Sequence, residues 1–153
     1  MKRVLLIIFM GFLASLFGCG RKDAAPAVPA KDILVIDYAH ESDGVFHHGT
    51  LTLIDGKVGA TWTLDDNGQK KTQSLTMTEE TFKSLWNSVN DITDFRTGAV
   101  TSPEQQLDPV SHHVVGLIFS KGGQKGVRTH MIPVSGASPA FRDWIAKIGY
   151  TGQ

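Results

Sequence analysis

Histidines are the most conspicuous residues of this sequence that could do chemistry. Four of the six form two adjacent pairs, and the other two stand alone. Neutral imidazole is a common ligand of zinc and copper, and a metal site needs two or more imidazoles that converge on one ion. The candidate ligands are His40, His47, His48, His112, His113 and His130.

The spacing of these histidines neither requires nor excludes a metal site. Adjacent side chains of a strand point to opposite faces, so each pair offers one imidazole to a given face. Imidazoles from three segments would meet only if the strands that carry them were neighbours in a sheet. The sequence contains no HExxH motif and no metal-binding cysteine spacing. It therefore favours imidazoles held by ordinary hydrogen bonds, with a composite metal site as the alternative.

No arrangement typical of an enzyme is present in the sequence. There is no G-x-S-x-G nucleophile motif. The carboxylate pairs Asp65-Asp66 and Glu79-Glu80 fall in a predicted turn and at a predicted helix start, without the apolar setting that separates two carboxyl pKa values. The glycine-rich stretch at 121–126 lies between two predicted strands and lacks the ending of a phosphate-binding loop. We therefore expect no enzymatic activity and no cofactor.

The single cysteine, Cys19, ends a segment with the features of an export signal. Lys2 and Arg3 precede an apolar run of 14 residues (4–17), and Gly18 follows it. An apolar run of this length behind basic residues is typical of a secretory signal and short for a membrane span. Residues 1–18 are therefore predicted to be a cleaved signal peptide, with an uncleaved signal anchor as the alternative.

The segment Leu16-Phe17-Gly18-Cys19 resembles the lipobox of bacterial lipoproteins, in which an aliphatic residue and two small or apolar residues precede a cysteine. The resemblance implies that the Cys19 thiol receives a diacylglyceryl group, the source of palmitate labelling, and that a peptidase cleaves before this residue. Two or three acyl chains make a stable anchor, whereas one chain binds a membrane only marginally. Cys19 is thus the expected lipid-attachment site and the link to a membrane.

Residues 19–32 are predicted to form the lipidated start of the mature chain and a tether. Pro26 and Pro29 favour extended backbone, and the alanines and charges around them cannot form a packed face. Gly20 stands where an aspartate retains the lipoproteins of enteric-type bacteria in the inner membrane. The resemblance therefore implies a place in the bacterial cell envelope, at the outer membrane and facing the periplasm.

The charge of the mature chain gives no reason to expect nucleic acid as a partner. All 15 acidic residues follow Cys19, whereas Lys2 and Arg3, two of the 15 basic residues, precede it. The mature chain thus has 13 basic and 15 acidic side chains, a net charge of −2 with histidine neutral. Its only cysteine is Cys19, so an apolar core and not an internal disulfide must stabilise it.

From Ile33 onward, short apolar or alternating runs are separated by turn residues. Dipeptides such as Asp55-Gly56 supply the positive φ angles that two-residue hairpin turns need. Turns are predicted at 41–44, 55–56, 66–68 and 121–123. The strands expected around them span 33–40, 50–54, 57–64, 69–75, 113–119 and 125–132.

Two helices are predicted from their caps and apolar stripes. Thr78 is the expected N-cap of the first helix, and Ser138-Pro139 that of the second. The apolar stripes are Phe82, Leu85, Trp86 and Val89, and Phe141, Trp144, Ile145 and Ile148. The order βββ(β)-α-ββ-α predicts the α+β class, an antiparallel sheet of five to six strands with two helices packed on it. We expect a single domain at 33–149 and a short tail at 150–153.

Thr78-Glu79-Glu80 opens the first predicted helix, and residues 139–144 (PAFRDW) open the last. Together with Gly44-Val45 and Asp108, these short motifs resemble emfourin-like domains. Those are small bacterial α+β proteins, some of which inhibit thermolysin-like metallopeptidases. The similarity covers roughly residues 33–149 and implies a binding module, without assigning an inhibitory residue.

These observations favour a membrane-anchored envelope lipoprotein with a non-enzymatic protein-binding or inhibitor domain. The expected contact surface consists of a loop at 41–49 and the stretch 93–111, which is the longest without a sustained period. The alternative function is a metal-binding envelope protein that uses the histidines.

Overall fold

A computed structural model describes residues 32–102 and 105–149. The predicted signal peptide, Cys19, the linker up to residue 31 and the tail 150–153 lie outside the described residues. The elements are β1 (Ile33–Ser42), β2 (Val45–Ile54), β3 (Lys57–Asp66), β4 (Gln69–Ser74), α1 (Glu79–Ser88), α2 (Thr93–Thr97), β5 (His112–Lys121), β6 (Gln124–Pro133), a 3-10 turn (Val134–Gly136) and α3 (Pro139–Lys147).

The strands form one antiparallel sheet in the order β4-β3-β2-β1-β5-β6. The chain reaches the edge at β4, passes through α1 and α2, and returns beside β1 as β5. This arrangement confirms the predicted α+β class and the order of its elements. The pairing of β1 with β5 is the long-range contact that brings the histidines of β5 next to those of β1 and β2.

Four two-residue turns fix the register of the hairpins. In Asp43-Gly44, Asp55-Gly56, Asn67-Gly68 and Gly122-Gly123, both residues have positive φ, between 50° and 87°. Two consecutive positive φ angles characterise the type I′ turn, whose twist matches that of the strands it joins. The turn positions predicted from the sequence are therefore confirmed.

The helices pack on one face of the sheet through the predicted apolar stripes. Phe82 of α1 and Phe141 of α3 are fully buried against Ile36, Tyr38 and Leu51 of the sheet. The caps are also as predicted, because the Thr78 and Ser138 side chains accept hydrogen bonds from the third residue of each helix. The indole nitrogen of Trp144 donates to the Leu85 carbonyl at 3.0 Å and holds α3 against α1.

The segment 93–111 is more ordered than the sequence predicts. Residues 93–97 form α2, whose Phe95 is buried, and the Asp94 carboxylate accepts hydrogen bonds from the backbone and side chain of Ser138. Farther along, Ala99 forms a bridge to His130 on β6. A helix of five residues has no periodic signal and is stabilised by tertiary contacts, which explains why its sequence does not reveal it.

The prediction of a loop at 41–49 is also corrected. Residues 45–49 belong to β2 and pair with both β1 and β3, so only Asp43-Gly44 forms the turn. Gly49 lies opposite Trp62, whose ring occupies the space where a Cβ at Gly49 would be. Because Gly49 has no side chain, it interrupts the alternation of apolar and polar residues by which a strand is recognised in a sequence.

Candidate functional site

One end of the sheet gathers most of the residues singled out in the sequence. At this end, called here the upper end, β1 stops at Ser42, β2 starts at Val45, β5 starts at His112 and β6 stops at Pro133. The turn at Asn67-Gly68 also lies here, because Val45 pairs with Asp66. Part of the stretch 98–111 packs at the same end. The two segments predicted to form a contact surface are therefore neighbours.

The Pro109 carbonyl joins the two segments. Its oxygen accepts a hydrogen bond from the Glu41 amide at 2.8 Å and another from Nδ1 of His40 at 2.9 Å. The Asp108 carboxylate in turn accepts from the Val110 and Ser111 amides at 3.1 and 3.3 Å. These bonds fix residues 108–111 against the end of β1.

Apolar side chains are exposed at the upper end. Among the described residues, the large hydrophobic side chains that are exposed are Val110, Val127 and Val134, with 59%, 40% and 41% of their surface accessible. Val134 donates its amide to the Ser111 carbonyl at 3.1 Å, so it lies beside the segment that carries Val110. Two of the three exposed valines thus belong to neighbouring segments at the upper end.

Several carboxylates also lie at the upper end of the sheet. Glu41 and Asp43 flank the β1–β2 turn, Asp66 borders the neighbouring turn, and Asp108 precedes Pro109. Burial alone would raise the pKa of Asp108, but hydrogen bonds from the backbone and side chain of Ser111 and from the Val110 amide, together with the nearby His112, outweigh it and lower the pKa. The upper end therefore combines exposed valines with several carboxylates.

Three of the six candidate histidines lie together beneath this surface, on the helix-facing side of the sheet. His40 and His47 are register partners on β1 and β2, and His113 lies on the neighbouring β5. The ring centroid of His40 lies 4.5 Å from the ring centroid of His113 and 6.4 Å from that of His47. We call His40, His47 and His113 the histidine cluster.

Burial and the nearby His40 lower the pKa values of two members of the histidine cluster, His113 and His47. His40 and His113 are only 3% and 4% exposed, and Nδ1 of His113 lies 2.8 Å from the Tyr38 hydroxyl. Burial, followed by the nearby His40 and His112, lowers the pKa of His113 to about 4. Burial and His40 also lower the pKa of His47.

The other three candidates point elsewhere. His112 lies 3.8 Å from the Asp108 carboxylate, and His48 lies 2.9 Å from Asp37 on the face opposite the helices. His130 faces the helices and donates from Nδ1 to the Phe95 carbonyl at 2.7 Å. Within 32–102 and 105–149, no three His, Cys, Asp or Glu side chains are placed to hold a metal ion. The strands are neighbours, as a composite site requires, but the ring nitrogens do not converge on one point.

Asp37, His48 and Thr50 form a polar group that the sequence analysis missed. One oxygen of Asp37 accepts from Nε2 of His48 at 2.9 Å and from the Thr50 hydroxyl at 2.8 Å. Burial alone would lower the pKa of His48, but the hydrogen bond and charge of Asp37 outweigh it and raise the pKa. Thr50 gives its only proton to Asp37, so the group is not a nucleophilic triad. The signal in the sequence was an aspartate inside an otherwise apolar strand.

A groove of about 410 Å³ lies between α1 and α3. Its walls include Glu80, Ser84, Trp144 and Lys147, and none of its lining residues is a histidine. Its volume suits a small ligand, but its residues are those of two amphipathic helices that pack side by side. The groove therefore adds no catalytic arrangement.

No protein-family model matches the chain, and no curated protein sequence matches it. In the part of the chain that the structure describes, no helix is long and apolar enough to cross a membrane.

Proposed function

We propose that this protein is a bacterial lipoprotein whose domain binds or inhibits a protein partner and has no enzymatic activity of its own. Cys19 carries the lipid that anchors it in the cell envelope, at the outer membrane and facing the periplasm. The partner binds at the upper end. The observation that carries this proposal is the Pro109 carbonyl, which joins the β1–β2 hairpin to residues 108–111.

The composition of the upper end is that of a protein interface. Val110 and Val134 are both exposed at this end, which also carries Glu41, Asp43 and Asp108. Protein interfaces combine an apolar centre with a polar rim, and an exposed apolar patch marks such a surface. Because hydrogen bonds already hold residues 108–111, binding costs little conformational entropy.

The segment between Cys19 and the domain supports the same proposal. Residues 20–32 contain two prolines and several charges, and they reach roughly 40 Å when extended at about 3.1 Å per residue. A tether of this length would hold the domain clear of the lipid headgroups and leave the upper end accessible to a partner. The lipid would then anchor the protein, the tether would set its distance from the membrane, and the exposed surface would bind the partner.

The proposal predicts that V110D/V134D weakens partner binding by roughly tenfold or more, because a charge in the apolar centre of an interface stays unpaired on burial. The matched control is V127D, since Val127 is also exposed but lies away from the upper end, in the β6 segment that pairs with Ile118. The purified lipidated wild type and variants would be cross-linked in envelope extract, and the proteins that the wild type retains would be identified. The Kd of each variant for such a partner would then be measured by titration. Equal binding by V110D/V134D and wild type would refute the proposal, as would the lack of any specific partner.

The second candidate function is metal binding by the histidine cluster. It is favoured by the positions of His40, His47 and His113 on one face of three adjacent strands. A metal would require these side chains to rotate so that their ring nitrogens converge at about 2.0–2.1 Å from the ion. Calorimetric titration with Zn²⁺ and Cu²⁺ separates the two functions, because an absence of stoichiometric binding removes this candidate.

A further inference from the structure

We propose that the tip of the β5–β6 hairpin docks on the anionic phospholipid headgroups of the membrane and turns the upper end away from that membrane. The tip consists of residues 119–128, at the end of the sheet opposite the upper end, which we call the lower end. The docking rests on the lipid anchor of the proposed function, because an anchored domain always has a bilayer within reach. It adds a second contact between the domain and the membrane.

The β5–β6 hairpin has basic side chains and no acidic ones. Residues 112–133 contain Lys121, Lys125 and Arg128, and no aspartate or glutamate. All three basic residues are exposed and lie in the tip. The net charge of −2 for the mature chain hides this local excess, because it averages the hairpin with the carboxylates of the upper end. The tip is therefore a positively charged part of a weakly acidic domain.

The basic side chains lie on both faces of the hairpin. Arg128 pairs with Leu117 of the core, so it lies on the side that faces the helices. Lys125 is an odd number of positions away on the same strand and therefore points to the opposite face. Because the charge is present on both sides, the tip and not one flat face of the sheet is the part that suits an anionic surface.

Two apolar side chains accompany the basic residues. Val127 is 40% accessible, and Phe119 is half-buried, with its ring in the space where a Cβ at Gly126 would be. The guanidinium carbon of Arg128 lies 6.0 Å from the centroid of the Phe119 ring. Segments that bind at a membrane interface combine Lys and Arg with aromatic or aliphatic side chains in the same way.

The tip lies beside the point where the domain joins the tether. Ile33, the first residue of β1, is the register partner of Ser120, and the Gly122 amide donates to an Asp32 carboxylate oxygen at 3.4 Å. The chain that leads back to Cys19 therefore leaves the domain next to the tip. Asp32 offsets part of the positive charge, but the three basic residues of the tip outnumber it.

The neighbouring β2–β3 hairpin, which also ends at the lower end, has no comparable excess of charge. Asp55 and Lys57 of its turn have opposite charges. The Glu79 carboxylate lies near Gly56 and pairs with Lys83 at 2.6 Å. Attraction to an anionic surface is therefore strongest at the tip.

The two ends of the sheet respond to an anionic surface in opposite ways. Headgroup charge attracts basic residues and repels carboxylates within a Debye length of the surface. The upper end carries Glu41, Asp43 and Asp108, and β5 extends from there to the tip, roughly 30 Å at about 3.3 Å per residue. The domain thus stands on its tip, with its body clear of the headgroups and the upper end directed away from the membrane.

Fluorescence quenching by nitroxide-labelled headgroups tests the orientation of the full lipidated chain. The fluorophore is attached to Gln124→Cys at the tip or to Gln69→Cys at the upper end, and both positions are exposed and directly follow a two-residue turn. Cys19 does not react with the label, because its sulfur carries the lipid. Each protein is reconstituted into vesicles of phosphatidylcholine alone or of phosphatidylcholine and phosphatidylglycerol in equal parts.

The measured quantity is the quenching of the Gln124 label divided by that of the Gln69 label. In the anionic vesicles this ratio is expected to exceed its value in phosphatidylcholine alone by roughly threefold or more. The excess should disappear in about 1 M salt, where the Debye length is about 3 Å. A ratio that is equal in the two kinds of vesicle would overturn the proposal.

Two charge-matched variants make the result specific. K121Q/K125Q removes two lysines from the tip and should lower the ratio in anionic vesicles to its value in phosphatidylcholine alone. K70Q/K71Q removes two lysines from the edge strand β4 and should leave the ratio unchanged or raise it. All four lysines are exposed, so both variants are expected to fold. Equal ratios for the two variants would show that overall charge, and not the tip, governs the orientation, and would overturn the proposal.

Flotation of the wild type with vesicles of phosphatidylcholine alone tests the anchor separately, because these vesicles have no net charge to attract the tip. A wild-type chain that does not float would refute the lipid anchor, and the docking with it. A chain that floats but whose quenching ratio does not depend on phosphatidylglycerol would refute only the docking.

Discussion

Replacing Cys19 with serine is expected to abolish the incorporation of labelled palmitate and to leave an uncleaved precursor. A serine hydroxyl is a much weaker nucleophile than the thiol that the lipobox of bacterial lipoproteins presents, and cleavage in that family follows lipid transfer. The chain offers no second thiol, because Cys19 is its single cysteine. The expected effect is therefore all or none, and it is measured by metabolic labelling and the size of the product.

A matched control for this variant is Ser42→Ala, a change in an exposed part of the β1–β2 hairpin that leaves the first 19 residues intact. It should label and mature like the wild type. Unchanged palmitate labelling of the Cys19→Ser variant would contradict the lipid assignment. A wild-type chain that is neither labelled nor cleaved would favour the alternative of an uncleaved signal anchor.

Acid is expected to destabilise the folded domain through His113 by about 3 kcal/mol at pH 4. The pKa of this histidine is about 4 in the folded protein, against about 6.5 when it is unfolded. As the pH falls below 6.5, the unfolded chain takes up the proton first, so the free energy of unfolding decreases. The loss is spread between pH 6.5 and pH 4 and is complete below the folded pKa. Urea denaturation of the purified protein across this range measures it.

The comparison that isolates His113 is between Y38F/H113F and Y38F. The single variant keeps the titrating imidazole and removes the hydroxyl near its Nδ1. Its stability should therefore still fall by about 3 kcal/mol toward pH 4. In the double variant the phenyl ring cannot be protonated, and this part of the fall should disappear. Parallel pH profiles of the two variants would show that His113 is not the group responsible.

Other histidines modify the pH profile in both directions. The pKa values of His47 and His130 are lowered, chiefly by burial, so these residues also weaken the folded state in acid. His48 acts in the opposite sense, because Asp37 raises its pKa. Its stabilisation is present below pH 6.5 and is lost as the pH rises through the raised value. The His48 side chain is 30% exposed, so its contribution is smaller than that of His113.

The two halves of the functional proposal rest on different parts of the chain. The anchor rests on residues 1–32, whose pattern of charge, apolar run and cysteine is local. The binding surface rests on contacts between residues distant in sequence, such as the bond from His40 to Pro109, 69 residues away. Failure of the Cys19 experiment would therefore leave the surface untouched, and failure of the binding experiment would leave the anchor untouched.

Local features of the fold followed from the sequence because local chemistry decides them. Asp55-Gly56 predicts its turn, since both residues tolerate the positive φ angles that a type I′ hairpin needs. Thr78 and Ser138 predict where the helices begin, because the side-chain oxygen of each accepts a hydrogen bond from the backbone amide three residues later, which has no partner within the helix. These signals, with the apolar stripes, were enough to predict the α+β class and the order of its elements.

The position of the site was decided by the tertiary structure alone. The second neighbour of β1 depends on how the entire apolar face of the sheet packs against the helices. No local sequence pattern predicts that this neighbour is β5. That pairing brings the Tyr38 hydroxyl to His113, 75 residues away, and places the ring centroids of His40 and His113 4.5 Å apart. The sequence determined which residues could act, namely Cys19 and six histidines. Burial and long-range pairing determined which of the histidines meet.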